Sequence, residues 1–208
     1  EDIFKENDIK EIIHFAASLV VPESVEQPLK YYLNNTANTA SLIQTATKYG
    51  VNKFIFSSTA AVYGEPNKED IPVSETTRTS PINPYGSSKL FSESVIKDTA
   101  FANETFKFVI LRYFNVAGAD VDGKIGQSTL NATHLIKVAA ETALNKRAKM
   151  SIFGDDYDTA DGTCIRDYIH VCDLADAHLK ALKYLDTNPS DIFNCGYGYG
   201  YSVKEVID

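Results

Sequence analysis

Short runs of apolar residues alternate along this chain with longer segments in which apolar residues recur at helical spacing. The pattern predicts strands at 11–15, 53–57 and 108–111 and helices at 35–49 and 85–102. Gly50 directly follows the first predicted helix, as expected of a glycine that ends a helix. The run at 53–57 is apolar almost throughout, which is typical of the centre of a parallel sheet. This alternation predicts an α/β fold with a doubly wound parallel sheet.

The pattern changes after Asn115, where loops become frequent. Gly118, Gly123 and Gly126 mark loops, an amphipathic helix is predicted at 133–146, and loops rich in Asp and Gly follow. We therefore predict a boundary near residue 116. Residues 1–116 are expected to form the sheet domain, and 117–208 to form part of a smaller α/β domain that covers the ligand.

The sequence contains no glycine-rich phosphate-binding turn, although a dinucleotide-binding sheet should open with one. The glycines of 195–200 alternate with other residues late in the chain, which indicates a loop rather than a phosphate cradle. The chain also begins at Glu1 without a methionine. We therefore expect an internal piece of a longer protein, starting within a Rossmann-like sheet.

Composition narrows the class of ligand. The formal net charge is -8 with Lys and Arg scattered, which argues against nucleic-acid or anionic-membrane partners but not against a bound diphosphate. No apolar stretch approaches the roughly 20 residues of a membrane span. Three widely spaced cysteines indicate reduced thiols and a cytoplasmic protein, and the four histidines show no metal-ligand spacing.

The strongest chemical signal is a Tyr–Lys pair that follows a Ser-Ser-Thr strand end. Tyr85 and Lys89 are four residues apart on a predicted helix, so they share a face. A neighbouring ammonium favours phenolate, and lowering a tyrosine pKa from about 10 toward 7 takes roughly 4 kcal/mol. Lys89, with the charge of an oxidised nicotinamide, would make Tyr85 a base, and Thr59 would hold the reacting hydroxyl. Taken alone, the pair also fits an ordinary exposed helix face.

Several motifs together carry a resemblance to a known family. They are HFAA at 14–17, YYLNN at 31–35, SSTAAVYG at 57–64, PYGSSK at 84–89, LRYFN at 111–115, GDDY at 154–157 and DGTCIRDYIHV at 161–171. The chain resembles the extended short-chain dehydrogenases over its whole length. The last motif is highly specific and narrows the resemblance to the UDP-glucose 4-epimerases.

The resemblance implies an NAD-dependent isomerase that interconverts UDP-galactose and UDP-glucose, and a homodimer built through the helices at 35–49 and 85–102. It makes Tyr85 the general base, Lys89 the residue that lowers its pKa and binds the nicotinamide ribose, and Thr59 the hydroxyl partner. Cofactor contacts are implied for Phe15, Ala16, Ala17, Asn34, Ser57, Tyr85, Lys89 and Tyr113. Contacts to the UDP-sugar are implied for Thr59, Asn115, His134, Leu135, Phe153 and Arg166, with Arg166 on the diphosphate.

Simpler explanations stand beside these assignments. Phe15 and Phe153 also fit core positions, and Asn34 and Asn115 also fit turns or caps. Arg166 also fits a surface ion pair with Asp167. The apolar helix stripes also fit packing against the sheet rather than a dimer.

Three other functions compete with the main interpretation. Dehydratases of this superfamily place an Asp-Glu pair directly after the Thr, where this chain has Ala60 and Ala61, so dehydration is disfavoured. An epimerase of another UDP-sugar, such as a uronic acid, pentose or N-acetylhexosamine, stays open. A non-catalytic nucleotide-binding relative would normally have lost Tyr85 or Lys89. Two departures from the family pattern are Leu19 and Lys137, where relatives often carry Lys and Pro.

Overall fold

A computed structural model describes residues 1–129 and 132–208. The chain groups into two compact units. The first comprises Glu1–Tyr113 and Asp176–Cys195, and the second comprises Phe114–Ala175 and Gly196–Asp208. The first change of unit lies near the boundary expected at residue 116, but the chain then returns to the first unit for twenty residues near its end.

The helices and strands are as follows, in chain order. They are α1 (Asp2–Glu6), β1 (Glu11–His14), α2 (Val21–Glu26), α3 (Pro28–Tyr31), a π-helical stretch (Tyr32–Ala37), α4 (Asn38–Lys48), β2 (Lys53–Thr59), α5 (Pro84–Ala102), β3 (Lys107–Tyr113), β4 (Asn115–Ala117), α6 (Leu135–Ala143), β5 (Ile165–His170), α7 (Val171–Thr187), β6 (Asp191–Cys195), β7 (Gly200–Ser202) and α8 (Val203–Ile207). Short 3₁₀ turns occupy Ala60–Val62 and Lys68–Asp70.

The first unit is built on a four-stranded sheet in the order β1-β2-β3-β6, in which every pair is parallel. The core includes Phe54, Phe56 and Ile110 from the strands, with Ile43 from α4 and Ile96 from α5. The predicted parallel α/β sheet with flanking helices is therefore confirmed. All three predicted strands are present, and β2 and β3 extend beyond their predicted ends.

Local sequence explains where the two long helices of this unit end and begin. Gly50 has a φ of +81° and follows α4, and the backbone N–H of Val51 donates to the carbonyl of Ala46 at 3.0 Å, closing the last turn. The side chain of Asn83 accepts from the backbone N–H of Gly86 at 2.9 Å, and Pro84 is the first residue of α5. The helix predicted at 85–102 is therefore present and begins one residue before its predicted start, at Pro84.

Sequence analysis missed the return of the chain to the first unit. It predicted Asp- and Gly-rich loops after residue 146, whereas the structure has a strand, β5, and a 17-residue helix, α7, in that region. The helical signal is present in α7, because His178, Ala181 and Leu185 are buried at spacings of three and four. Strand β6 then pairs with β3, so residues 191–195 complete the sheet.

The second unit contains a small mixed sheet, in which β4 and β5 are parallel and β5 and β7 antiparallel. Helix α6 is shorter than predicted at 133–146, and it starts at Leu135. Helix α8 begins with a reciprocal cap, in which Ser202 and Glu205 each bind the other's backbone N–H. Within the two described ranges, no helix is both long and apolar enough to cross a membrane, and the three cysteines are free thiols.

Candidate active site

Helix α5 begins in direct contact with the turn that follows β2. A Cβ placed on Gly86 would lie 2.7 Å from the carbonyl oxygen of Ala61, so only glycine allows this approach. Thr59 is the last residue of β2, and its hydroxyl accepts from the backbone N–H of Ala61 at 3.1 Å. The glycine after Tyr85 therefore brings the start of the helix beside the end of the strand.

Tyr85 and Thr59 lie close enough together for the Thr59 hydroxyl to lower the pKa of Tyr85. Burial of the phenol has the larger and opposite effect, so the pKa of Tyr85 is raised overall. The lowering toward neutrality that the sequence predicted does not arise from the protein groups alone. A positive charge brought by a ligand would have to supply it.

Lys89 lies on the same helix and is only 3% exposed. Its ammonium sits 4.4 Å from the centre of the Phe56 ring, and no hydrogen bond joins it to any described residue. Burial lowers the pKa of Lys89 to about 8, against the opposing charge of Glu93. Lys89 is therefore a buried cation whose three donors are available to a ligand.

His14, at the end of β1, is a neutral neighbour of Lys89. Burial and the charge of Lys89 lower the pKa of His14 to about 4. Its Nε2 lies 3.0 Å from the Thr39 hydroxyl, which itself donates to the carbonyl of Asn35 at 2.6 Å. Because the Thr39 hydroxyl donates its one proton to the carbonyl of Asn35, it can only accept from His14, and Nε2 of His14 is the donor in this pair.

The loop after β1, which carries Phe15, Ala16 and Ala17, is fixed by a residue that the sequence analysis missed. Asn35 is 1% exposed; its side chain accepts from the backbone N–H of Ser18 at 2.7 Å and donates to the carbonyl of Ser18 at 2.9 Å. It also donates to the hydroxyl of Ser88, beside Lys89, at 3.0 Å. The Asn34-Asn35 pair was the available signal, but only Asn34 was selected.

The predicted cofactor residue Asn34 is exposed on the π-helical stretch. It donates to the Ser18 hydroxyl at 3.0 Å and accepts from Asn38 at 3.3 Å. The capping role considered for this residue does not apply, because Asn34 lies within a continuous helical segment. Ala16 is also exposed and Ala17 half-buried, so the backbone of this loop is open to a ligand.

Two further predicted cofactor residues lie on adjacent strands. The hydroxyls of Ser57 on β2 and Tyr113 on β3 are hydrogen-bonded to each other, and burial raises the pKa of Tyr113. The ring of His178 on α7 lies 6.1 Å from that of Tyr113 and 4.5 Å from that of Phe15. Phe15 is 56% exposed and is therefore not a core residue.

The first unit thus places its predicted residues at the carboxyl ends of parallel strands, where such sheets bind ligands. The donors left on Lys89, the exposed ring of Phe15 and the open backbone after β1 fit a dinucleotide with a planar ring and ribose hydroxyls. Within the described residues, no cluster of His, Cys, Asp or Glu could hold a metal ion.

Apart from Thr59, which lies in the first unit, the predicted UDP-sugar residues belong to the second unit. Asn115 on β4 is half-buried and donates to the carbonyl of Asp167 at 3.2 Å. His134 precedes α6 and its Nδ1 lies 2.8 Å from the side-chain amide of Gln127, whereas Leu135 is half-buried as the first residue of α6. Phe153 is 86% exposed, which excludes the core role considered for it in this unit.

Arg166 is exposed on β5, and among the residues that the structure describes its guanidinium donates only to the carbonyl of Ile165, at 2.7 Å. No ion pair joins it to Asp167 in the described ranges. The Asp167 carboxylate instead accepts from the backbone N–H groups of Tyr197 and Gly198, at 3.1 and 2.8 Å. Between the end of β6 and the start of β7, the glycine-rich segment is thus a loop folded on an aspartate, whereas Cys195 and Gly200 themselves belong to strands. This arrangement leaves Arg166 available to an anion.

Comparison with known proteins places the chain in a family. Residues 1–196 match the NAD dependent epimerase/dehydratase family. The chain belongs to this family. UDP-glucose 4-epimerase of Azospirillum brasilense is 54% identical over 206 residues, which cover 99% of this chain and 58% of that protein. The predicted resemblance to UDP-glucose 4-epimerases is confirmed.

Solved structures of family members support the same relationship. The UDP-Glc/GlcNAc 4-epimerase of Campylobacter jejuni is 61% identical with a TM-score of 0.82, covering 99% of this chain and 62% of its own. UDP-glucose 4-epimerase of Bifidobacterium longum, solved with NAD+ and UDP, is 42% identical with a TM-score of 0.92, covering 98% of this chain and 61% of its own. The chain therefore spans about 60% of the length of the proteins it matches.

Proposed function

We propose that the protein containing this chain interconverts UDP-galactose and UDP-glucose with NAD as its cofactor. The observation that carries the proposal is the buried ammonium of Lys89 one helical turn after Tyr85, whose phenol lies beside the Thr59 hydroxyl at the end of β2. Family membership and relatives named UDP-glucose 4-epimerase support it, as do relatives solved with NAD.

Tyr85 acts as the general base in this proposal. The phenol, positioned by Thr59, takes the proton from the hydroxyl on sugar carbon 4 and later returns it. NAD held by these residues would accept the hydride from carbon 4 and return it to the opposite face of the 4-keto sugar. Lys89 holds the cofactor ribose, and its charge together with that of the oxidised nicotinamide lowers the pKa of Tyr85.

The other predicted residues complete the proposed site. Cofactor contacts come from Phe15, Ala16, Ala17, Asn34, Ser57 and Tyr113, and substrate contacts from Asn115, His134, Leu135, Phe153 and Arg166. Arg166 suits the diphosphate because its guanidinium has no carboxylate partner among the residues described. Contacts to the UDP portion keep the 4-keto sugar bound while the sugar ring rotates in the site.

A second substrate class has a specific observation in its favour. The Campylobacter jejuni relative, 61% identical, is a UDP-Glc/GlcNAc 4-epimerase. We therefore include N-acetylhexosamine UDP-sugars as alternative substrates. Dehydration remains disfavoured, because Ala60 and Ala61 follow Thr59 in a 3₁₀ turn and bear no acid or base.

We further infer a cytoplasmic homodimer. Leu29 and Leu33 are 73% and 64% exposed on α3 and the π-helical stretch, and Phe91 on α5 is 51% exposed. The Phe91 ring lies 5.8 Å from that of Tyr32, so these residues share one surface of the unit. Of the two predicted helix stripes, the one on α5 therefore includes a residue, Phe91, that does not pack on the sheet. A second copy would cover this surface.

The test uses the complete gene product that contains this chain. UDP-galactose is supplied and UDP-glucose formation is followed with a coupled dehydrogenase. The Tyr85→Phe variant should lose at least about 100-fold in kcat while retaining NAD, because only proton transfer is removed. Tyr49→Phe, at the end of α4, is the matched control and should keep normal turnover.

Each outcome has a distinct meaning. Normal turnover by Tyr85→Phe would overturn the assignment of the base. Absence of product from the unmodified protein, with NAD bound, would keep the fold and cofactor site but move the search to UDP-uronic acids, pentoses and N-acetylhexosamines.

A further inference from the structure

A fully buried carboxylate, Glu93, lies one helical turn beyond Lys89 on α5 and is 0% exposed. Its Oε1 accepts from Nε of Arg112 at 3.0 Å, and its Oε2 accepts from Nη2 of Arg112 at 2.6 Å. The Ser58 hydroxyl donates to Oε1 at 2.6 Å. This is a complete two-point ion pair with one further donor, and Arg112 is itself only 3% exposed.

Packing alone does not explain such a pair. Burying two charges costs desolvation energy that their attraction offsets only in part, and apolar residues of similar volume usually serve stability as well or better. Buried charges of this kind are often kept for specificity of arrangement. The contacts of Glu93 show which helix and strands this ion pair holds together.

Both hydrogen-bond partners of Glu93 adjoin a residue of the candidate site. Ser58 precedes Thr59 at the end of β2, and Arg112 precedes Tyr113 at the end of β3. Glu93 itself is four residues after Lys89, on the same face of α5. The carboxylate thus joins the helix to the two strands next to three different site residues.

Arg112 extends this linkage further within the first unit. Its Nη1 donates to the Tyr63 hydroxyl at 3.0 Å, and that hydroxyl donates to the side chain of Asn194 on β6 at 2.7 Å. The Arg112 guanidinium also lies 5.0 Å from the centre of the Tyr63 ring. The network therefore spans β2, β3, β6 and α5 beneath the candidate site.

We propose that Glu93 is a positioning residue: its carboxylate fixes α5 against β2 and β3 and keeps a negative charge one turn behind the Lys89 ammonium. Among the described residues, Glu93 on the same helix and His14 on β1, which is neutral near pH 7, interact electrostatically with Lys89, and Tyr85 lies four residues before it on α5. Of these, Glu93 is the one whose charge opposes the loss of the Lys89 proton.

The test measures the Lys89 titration directly in the 208-residue chain, so it does not depend on the proposed function. Lysine side chains carrying ¹³C at Cε are followed by NMR against pH, and Lys89→Arg assigns the signal. In Glu93→Gln the Lys89 midpoint should fall below the wild-type value of about 8. Asp98→Asn removes the same charge from an exposed position on α5 and should leave the midpoint unchanged.

Glu93→Gln leaves Arg112 buried without its partner and could unfold the chain. The double variant Glu93→Gln/Arg112→Gln removes both charges and keeps amides in both places. The same downward shift in this variant supports the proposal. An unchanged midpoint in a folded variant overturns it, because a purely structural Glu93 would not move Lys89. In the complete enzyme, the supporting result is a loss in kcat exceeding any change in KM, with an altered pH profile.

Discussion

At the scale of single residues, the site depends on groups whose charge states are set by burial. Lys89 is buried without a hydrogen-bond partner among the described residues, and burial raises the pKa of Tyr85 although the Thr59 hydroxyl beside it lowers that pKa. The Lys89 ammonium suits a ligand that offers hydroxyl acceptors, and a positive charge on that ligand would lower the pKa of Tyr85. Binding of an oxidised dinucleotide would thus turn the phenol into a base only when the site is filled.

His14 predicts how stability depends on acid. Its pKa is lowered from 6.5 to about 4 in the folded chain, so the unfolded chain binds more protons between these values. The free energy of unfolding should therefore fall as pH drops from about 6.5 to 4, by up to about 3 kcal/mol. Urea unfolding measures this slope, the change in the free energy of unfolding with pH. The measurements run from about pH 4.5 to 7, the window set by these two pKa values.

His14→Gln provides the comparison for that slope. Glutamine can donate to Thr39 but does not titrate, so the variant should show a smaller loss of stability over the same pH range. Equal slopes in the two proteins would show that other groups, not His14, cause the acid sensitivity.

At the scale of elements, close contact between α5 and the turn after β2 creates the site. That contact requires the absence of a side chain at residue 86, and the Asn83 cap fixes where the helix starts. The face shared by Tyr85, Lys89 and Glu93 then follows from helical geometry.

Gly86→Ala tests this contact. The new Cβ would meet the Ala61 carbonyl oxygen at 2.7 Å and the Cβ of Pro81 at 3.0 Å, so backbone must shift. We expect a loss of about 1–3 kcal/mol in unfolding free energy, typical of overpacking. Chemical denaturation measures it. Gly126→Ala, whose Cβ would make an ordinary 3.7 Å contact, should cost far less.

At the scale of the whole molecule, the exposed surface formed by Leu29, Leu33 and Phe91 should decide the oligomeric state of the complete protein. Phe91→Glu places a charge in the proposed interface and should convert a dimer to a monomer, measured by light scattering after size exclusion. Val121→Glu alters an apolar residue that is 87% exposed in the second unit and should leave the dimer intact. A monomeric unmodified protein would contradict the proposed dimer.

The sequence by itself determined the parallel sheet and predicted the Thr59–Tyr85–Lys89 candidate site, because these follow from short-range rules: apolar runs, helical spacing and residue order at a strand end. Only the tertiary structure decided that 176–195 returns to the first unit, that Asn35 fixes the loop after β1, and that Glu93 pairs with Arg112. These features join residues far apart in the chain. A buried ion pair gives no periodic signal, and its partners become neighbours only when strands and helix pack.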